Sequence, residues 1–127
     1  MSEYVEIATK FLNYFNDAEF DKAASLLRDD CVVTWPNTRE IFRGKRNFIE
    51  ANKNYPGRWF ISIEKIYSHN DLVVSVVKVS SDESTKSFHA VSFFKFKDDF
   101  IAEIEEYWGE NSDPPVWRIE KGYSTTF

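Results

Sequence analysis

The spacing of apolar residues changes once along the chain, from a helical period to a strand period. Val5, Ala8, Phe11, Leu12 and Phe15 recur at intervals of three and four residues, which predicts an N-terminal helix with one apolar face. Two further helical patterns follow. The second has the apolar residues Phe20, Ala23, Ala24 and Leu27, and the third, over residues 45–54, has Phe48, Ile49 and Ala51.

Short strands occupy most of what remains. Residues 31–35 read as a strand that Pro36 stops, and residues 59–68, 72–81, 85–97 and 100–108 are rich in Val, Ile and aromatic residues. Brief polar connections separate the last four segments, as hairpins require. Helices first and a strand meander afterwards predict an α+β fold, with N-terminal helices packed on a curved antiparallel sheet that encloses an apolar pocket.

The domain organisation predicted from the sequence is a single domain over residues 1–127. The chain contains no internal repeat and no low-complexity segment. The one linker-like stretch, residues 110–115, lies too close to the C-terminus to separate two domains.

Alternation along the last two strands assigns side chains to faces of the sheet. In residues 85–97 the more apolar set contains Phe88, Ala90, Ser92, Phe94 and Phe96, and we expect it under the helices. In residues 100–108 the corresponding set is Phe100, Ala102, Ile104, Glu106 and Trp108, with Ile101 predicted on the other face. Glu106 is therefore a lone charge on an apolar strip. The outer face is mixed, which favours a second subunit there.

The composition of the chain limits the kinds of binding partner that we expect. Aromatic residues make up 17% of the chain, which favours a core or a cavity built from large rings. The net charge is −5 with scattered Lys and Arg, which argues against nucleic acid as a partner. The N-terminus has no signal-peptide pattern, no apolar run is long enough to span a membrane, and Cys31 is the only cysteine. We therefore expect a cytoplasmic protein.

No cofactor and no metal are predicted. Four unclustered glycines provide no phosphate-binding loop, and two histidines with one cysteine do not supply a metal-ligand set. Cys31 begins a strand and has no motif around it, so we expect a buried and unreactive thiol.

Several segments together resemble the nuclear transport factor 2-like superfamily, and within it the SnoaL-like polyketide cyclases. They are residues 20–33, the Phe42-Arg43-Gly44 sequence before the third helix, residues 91–108 and the ending Asp113-Pro114-Pro115-Val116-Trp117-Arg118. The resemblance implies a cone-shaped fold with a pocket between helices and sheet, and homodimers through the outer sheet face. It covers nearly the whole chain but specifies function weakly, because this scaffold hosts many chemistries.

Ketosteroid isomerases of this superfamily carry a tyrosine on helix 1, an aspartate base at the end of the first strand and a second acid in a later strand. Their sequences align with this one so that these positions fall at Phe11, Trp35 and Ser92. None of the three can supply the corresponding acid, base or phenol. The ketosteroid isomerase mechanism is therefore not expected here.

Glu106 is the leading candidate for chemistry. A carboxylate on an apolar, half-enclosed strand should have a raised pKa, which suits a general acid or base near neutral pH. The alternative is an ion pair with Arg39, Arg43 or Arg118. His89 is a second catalytic candidate, although alternation places it on the outer face unless a bulge turns it inward.

The candidate ligand-binding residues are aromatic and hydroxyl side chains around this carboxylate. Trp35 and Trp108 could stack a flat ligand, or could simply be core residues. Ser92 and Ser75 could bond a ligand, and Tyr14 could place its hydroxyl at the pocket mouth. Phe11 is the remaining candidate ligand-binding residue.

Three functions remain open at this point. The first is a cofactor-independent isomerase, cyclase or dehydratase that acts on a small apolar molecule by proton transfer, with Glu106 as acid or base. The second is a non-catalytic protein that binds a small ligand in the same pocket. The third is a protein-interaction module that uses the outer sheet face. An open pocket with an unpaired Glu106 would favour the first.

Overall fold

The computed structural model describes residues 2–127 and has four helices among them, three of which correspond to the helical patterns of the sequence. Their bounds are α1 Ser2–Asn16, α2 Phe20–Ala24, α3 Lys45–Lys53 and α4 Val116–Glu120. Helix α1 packs its apolar stripe on strands of the sheet described below, as the period of its apolar residues predicts. Within the described residues, no helix is long and apolar enough to cross a membrane.

Six strands form one curved, unclosed sheet in the order β2-β1-β6-β5-β4-β3. Their bounds are β1 Leu27–Trp35, β2 Glu40–Arg43, β3 Phe60–His69, β4 Leu72–Ser80, β5 Ser87–Lys97 and β6 Phe100–Glu110. The α+β fold with helices on the sheet is confirmed. Four of the five strand pairs are antiparallel, as expected, whereas β1 and β6 pair in parallel. The sheet is therefore mixed. Three successive hairpins join β3, β4, β5 and β6, and β6 then lies beside β1 and runs in the same direction.

A bulge in β6 changes the predicted faces at the start of that strand. Lys95 pairs with Glu103 and Phe96 pairs with Ile101, so Ala102 is an additional residue in β6. Ile101 consequently turns into the core and is fully buried, whereas Phe100 is 45% exposed. The face assignment was wrong for these two residues, and it is correct from Ile104 onward.

The second helical pattern, which was predicted to reach Leu27, ends earlier in the structure. Helix α2 ends at Ala24, and Leu27 already belongs to β1, where it pairs with Ile101. The sequence did not predict the short strand β2 or helix α4. Both lie next to turns, where periodicity over four or five residues carries little information.

The most closely packed part of the core lies at one end of the cone-shaped fold. Phe11, Phe48, Phe94, Val73 and Ile104 are almost completely buried there. Phe11 and Phe94 meet edge to face with ring centroids 5.8 Å apart, which joins α1 to the centre of the sheet. Toward the other end the packing opens into a cavity.

Candidate functional site

A cavity of about 470 Å³ lies between the helices and the inner face of the sheet. Its floor is buried and largely apolar, while its rim carries exposed polar residues and the half-buried Arg58. The floor contains the buried residues Phe11, Leu12, Val77, Val79, Ala90, Ser92 and Glu106. The walls contain the half-buried residues Phe15, Phe20, Trp35, Trp59, Ile61, Phe88 and Trp108. The rim contains Asn37, Thr38, Glu40, Lys53, Tyr55 and Arg58. The volume and lining suit one small, mostly apolar molecule.

The register of the sheet places Glu106 at the boundary between packed core and open cavity. Residues opposite each other on neighbouring strands share a face, so Glu106, Ser92 and Ser75 form one row across β6, β5 and β4. One row toward the core, Ile104 pairs with Phe94. One row toward the cavity, the small Ala90 opposes Trp108 and leaves the space open.

Glu106 is held by two hydrogen bonds and is only 7% exposed. The indole N–H of Trp35 donates to Oε1 at 2.8 Å, and the Ser92 hydroxyl donates to Oε2 at 2.9 Å. Burial raises the pKa of the Glu106 carboxyl, because desolvation disfavours the charged form more than these two donors stabilise it.

In the part of the chain that the structure describes, no cation neutralises this carboxylate. Among residues 2–127 Glu106 takes part in no salt bridge, and none of Arg39, Arg43 and Arg118 bonds to it. The carboxyl group can therefore exchange a proton without first breaking an ion pair.

Two tryptophans form a wall beside Glu106. The rings of Trp35 and Trp108 meet edge to face with centroids 6.2 Å apart, and Phe42 packs against Trp35 at 4.7 Å. The side-chain oxygen of Asn37 accepts the backbone N–H of Trp108 at 2.8 Å, which fixes the end of β6. Within the described chain the indole N–H of Trp108 has no acceptor. It is a buried donor beside a cavity, and such donors are rare without a partner.

This arrangement can support proton transfer. A carboxyl group with a raised pKa can take a proton from an acidic C–H and return it elsewhere on the same ligand.

The structure brings four of the predicted ligand-binding residues to the cavity: Phe11, Trp35, Ser92 and Trp108. Ser75 lies in the same row as Ser92 but does not line the cavity, and its buried hydroxyl has no hydrogen-bond partner in the described chain. Tyr14 packs partly buried against the core, away from the cavity lining.

His89 is not brought to Glu106. Its Nδ1 lies 2.6 Å from Oδ1 of Asn111 and its Nε2 lies 3.2 Å from Oε1 of Glu64, and it does not line the cavity. The bulge that would turn His89 inward does not occur, since β5 and β6 stay in register from Phe88 to Lys95. The residue keeps the outer-face position that alternation predicts.

Arg58, Trp59 and Phe88 line the cavity but were not among the predicted site residues. Phe88 lies on the face that alternation assigned to the helices, so that signal was present. Trp59 was the first residue of the predicted strand 59–68, whereas Arg58 lies in the connection between α3 and β3, where no period exists to follow. Across residues 2–127, no three His, Cys, Asp or Glu side chains are grouped so that they could hold a metal ion.

Comparison with known proteins gives a family match. The family model for the SnoaL-like domain matches residues 8–104, which is most of the chain and includes all of β1 to β5. Among curated proteins, none matches the sequence significantly.

Solved structures share the fold at low sequence identity. A protein from Kribbella flavida, described as a candidate ketosteroid isomerase, superposes with a TM-score of 0.84 at 21% identity, covering 94% of this chain and 87% of its own. A nuclear transport factor 2-like protein of unknown function from Burkholderia xenovorans has a TM-score of 0.83 at 16% identity, covering 99% and 96%. An epoxide hydrolase from M. tuberculosis, of the LEH-like type, has a TM-score of 0.74 at 21% identity, covering 96% and 90%. These likenesses concern the fold, which hosts different chemistries in different proteins.

Proposed function

This chain belongs to the family of SnoaL-like domains, and from that premise we propose that it is an enzyme acting on a small, mostly apolar molecule by proton transfer. The reaction class is an isomerisation, cyclisation or dehydration that needs no cofactor. Glu106 is the acid and base, and the rings of Trp35 and Trp108 hold the apolar ligand beside it.

One observation carries this proposal: Glu106 is a buried carboxyl group without a cationic partner in the described chain, placed on the floor of an open cavity. Charged side chains are rarely buried unless they are paired, because desolvation costs several kcal/mol. A purely structural position would be better served by an apolar residue of similar volume. Retaining a carboxyl group there is typical of acid–base sites.

The neighbours of Glu106 support a catalytic role further. Trp35 and Ser92 fix both carboxyl oxygens, so the group meets a ligand in one orientation. The apolar walls exclude water, which strengthens the electrostatic interactions inside the cavity. Phe11 and Trp35 stand at the positions of two groups that ketosteroid isomerases use, so the proposed chemistry rests on a different carboxyl group.

The proposal is tested by proton exchange, which needs no knowledge of the product. The purified protein is incubated in D₂O with apolar ketones and β-dicarbonyl compounds, and deuterium uptake at the acidic carbon is followed by NMR. We expect exchange above background that the variant Glu106→Gln lowers by at least about a hundredfold. The variant Glu103→Gln, which changes an exposed carboxylate of the same strand, serves as the control and should exchange normally.

The outcomes separate the candidate functions. Equal exchange rates in Glu106→Gln and the wild-type protein would refute the catalytic proposal. Thermal stabilisation by a ligand that shows no exchange would instead favour a non-catalytic binding protein using the same cavity.

We further infer a homodimer through the outer face of the sheet. Phe93 and Tyr107 meet edge to face on that surface at 6.1 Å, and Tyr67 and Tyr107 are 64% and 42% exposed. A mixed sheet face with exposed aromatic side chains of this kind favours contact with a second copy. Light scattering of the wild-type protein should give twice the monomer mass. The variant Phe93→Glu should have the mass of one monomer and should keep the circular dichroism spectrum of the wild-type protein. A monomeric wild-type protein would contradict the inference.

We also propose a domain organisation and a cellular location for the protein. We infer that residues 1–127 function as one SnoaL-like domain in the cytoplasm. Its single cysteine allows no intrachain disulfide, which is consistent with a reducing compartment.

A further inference from the structure

Arg58 belongs to the rim of the cavity, and within the described chain no carboxylate neutralises its guanidinium group. Arg58 is half-buried, lines the cavity and takes part in no salt bridge within residues 2–127. The other cationic side chain of the rim, Lys53, is bonded to Asp21 at 3.0 Å and lies 3.8 Å from Glu50. The uncompensated positive charge at the rim is therefore that of Arg58.

The guanidinium is held in place by uncharged groups. Its Nη1 donates to the backbone carbonyl of Trp59 at 2.7 Å and its Nη2 donates to that of Asn16 at 2.6 Å. The group also lies over the ring of Phe60, 4.3 Å from the ring centroid. A guanidinium has five N–H donors, so these contacts fix its plane and leave three donors without an acceptor in the described chain. A fixed, partly desolvated fork of this kind matches a carboxylate.

The position of Arg58 sets a length for the ligand. Arg58 lies two residues before the edge strand β3, whereas Glu106 is on β6, three strands away in the sheet. With the usual spacing between strands, the two backbones are separated by roughly 14 Å across the sheet alone. Their total separation is larger, because the β3 residue in the row of Glu106 is Ile66, which lies well along the strand from Arg58. A molecule that reaches both ends must be longer than a single aromatic ring, and its middle lies against the apolar walls.

We propose that the cavity takes an amphipathic organic acid, with a carboxylate bound by Arg58 at the rim and an apolar body that extends inward to Glu106. This inference rests on the proposed function for the reacting end of the ligand, and it adds the substrate class. The two ends have opposite chemistry: the rim receives a permanent anion, and the floor receives the apolar part that exchanges a proton.

Matched probes test the inference in the wild-type protein. Pyrene-1-butyrate and its amide have nearly the same shape and differ in charge, and their fluorescence reports binding. We expect the carboxylate to bind at least about tenfold more tightly than the amide at low salt, because a charge-assisted hydrogen bond on a partly buried Arg is replaced by a neutral one. The preference should shrink as salt is added, since the rim is in contact with solvent.

Variants assign the preference to Arg58. In Arg58→Gln, which can still donate to a backbone carbonyl, the carboxylate and the amide should bind about equally, and the amide affinity shows whether the cavity is intact. Arg58→Lys should keep part of the preference, because the charge remains without the fork. The control is Arg46→Gln, which removes an exposed arginine of α3 that does not line the cavity and should leave the preference unchanged.

Each result decides the question. Equal binding of both probes by the wild-type protein, a preference that persists in Arg58→Gln, or no binding of either probe would overturn the inference. The deuterium-exchange assay with uncharged ketones is independent of Arg58. Loss of the carboxylate preference would therefore leave the proposed role of Glu106 standing, whereas loss of exchange alone would leave Arg58 as an anion-binding residue.

Discussion

The indole N–H of Trp35 donates to Oε1 of Glu106 at 2.8 Å, across 71 residues of sequence. Trp35 ends β1 and Glu106 lies in β6, and the parallel pairing of these strands brings the two side chains together. An indole can only donate, so this contact favours the ionised carboxylate and opposes the effect of burial on its pKa. The protonation of Glu106 is therefore set by a balance between desolvation and two donors.

The raised pKa of Glu106 predicts a loss of stability with rising pH. The folded state binds the proton more tightly than the unfolded chain, so the unfolded state holds fewer protons between the two pKa values. The free energy of unfolding should fall from about pH 4.5, the ordinary value, up to the folded pKa, with a slope of at most about 1.4 kcal/mol per pH unit from this group.

Urea denaturation at several pH values measures this contribution when the wild-type protein is compared with Glu106→Gln. The variant lacks the titrating group, so its stability relative to the wild-type protein should rise with pH across that window. A difference between the two proteins that stays constant with pH would show that the pKa of Glu106 is not raised by folding.

The variant Trp35→Phe should raise the pKa of Glu106 further. It keeps an aromatic ring in the wall and removes the N–H that stabilises the charged form. Carbon-13 NMR of the glutamate carboxyl groups gives the titration directly, and the acidic limb of the pH–rate profile for deuterium exchange should move in the same direction, because Glu106 must be ionised to accept the proton. The control is Trp117→Phe on the exposed helix α4, which should leave both curves in place.

The variant Ser75→Ala should be neutral or stabilising, by up to about 1 kcal/mol. The Ser75 side chain is fully buried, and its hydroxyl has no partner in the described chain, so its removal relieves a desolvation cost and leaves almost no cavity. Ser92→Ala should destabilise the ionised form of Glu106 instead, because that hydroxyl donates to the carboxylate. Thermal denaturation of both variants above the folded pKa makes the comparison, and clear destabilisation by Ser75→Ala would indicate that its hydroxyl is bonded.

The thiol of Cys31 should be unreactive in the folded protein. Cys31 is fully buried, and burial raises the pKa of its thiol to about 11, so the nucleophilic thiolate is scarce at neutral pH. Alkylation by iodoacetamide at pH 8 should be much slower for the native protein than for the protein in urea. Rapid labelling of the native protein would mean that β1 opens readily at this position.

The periodicity of the chain was enough to predict the main elements. The bounds of α3 and of the four long C-terminal strands differ from the predicted ones by two residues or fewer, because each contains a clear alternation or a clear apolar stripe ended by polar turns. The same alternation placed Glu106 and Ser92 on the inner face, where the structure has them both buried. Local pattern determines these features, since each depends only on neighbours along one element.

What the sequence could not decide depends on contacts between distant elements. The parallel pairing of β1 with β6 is one such contact, and so is the bulge that turns Ile101 into the core. The absence of a cation at Glu106 within the described residues, and the rim position of Arg58, appear only when six strands and three helices are assembled. A side chain's period fixes its face, whereas its partners and its exposure to a cavity are set by packing between strands, and only the tertiary structure supplies that information.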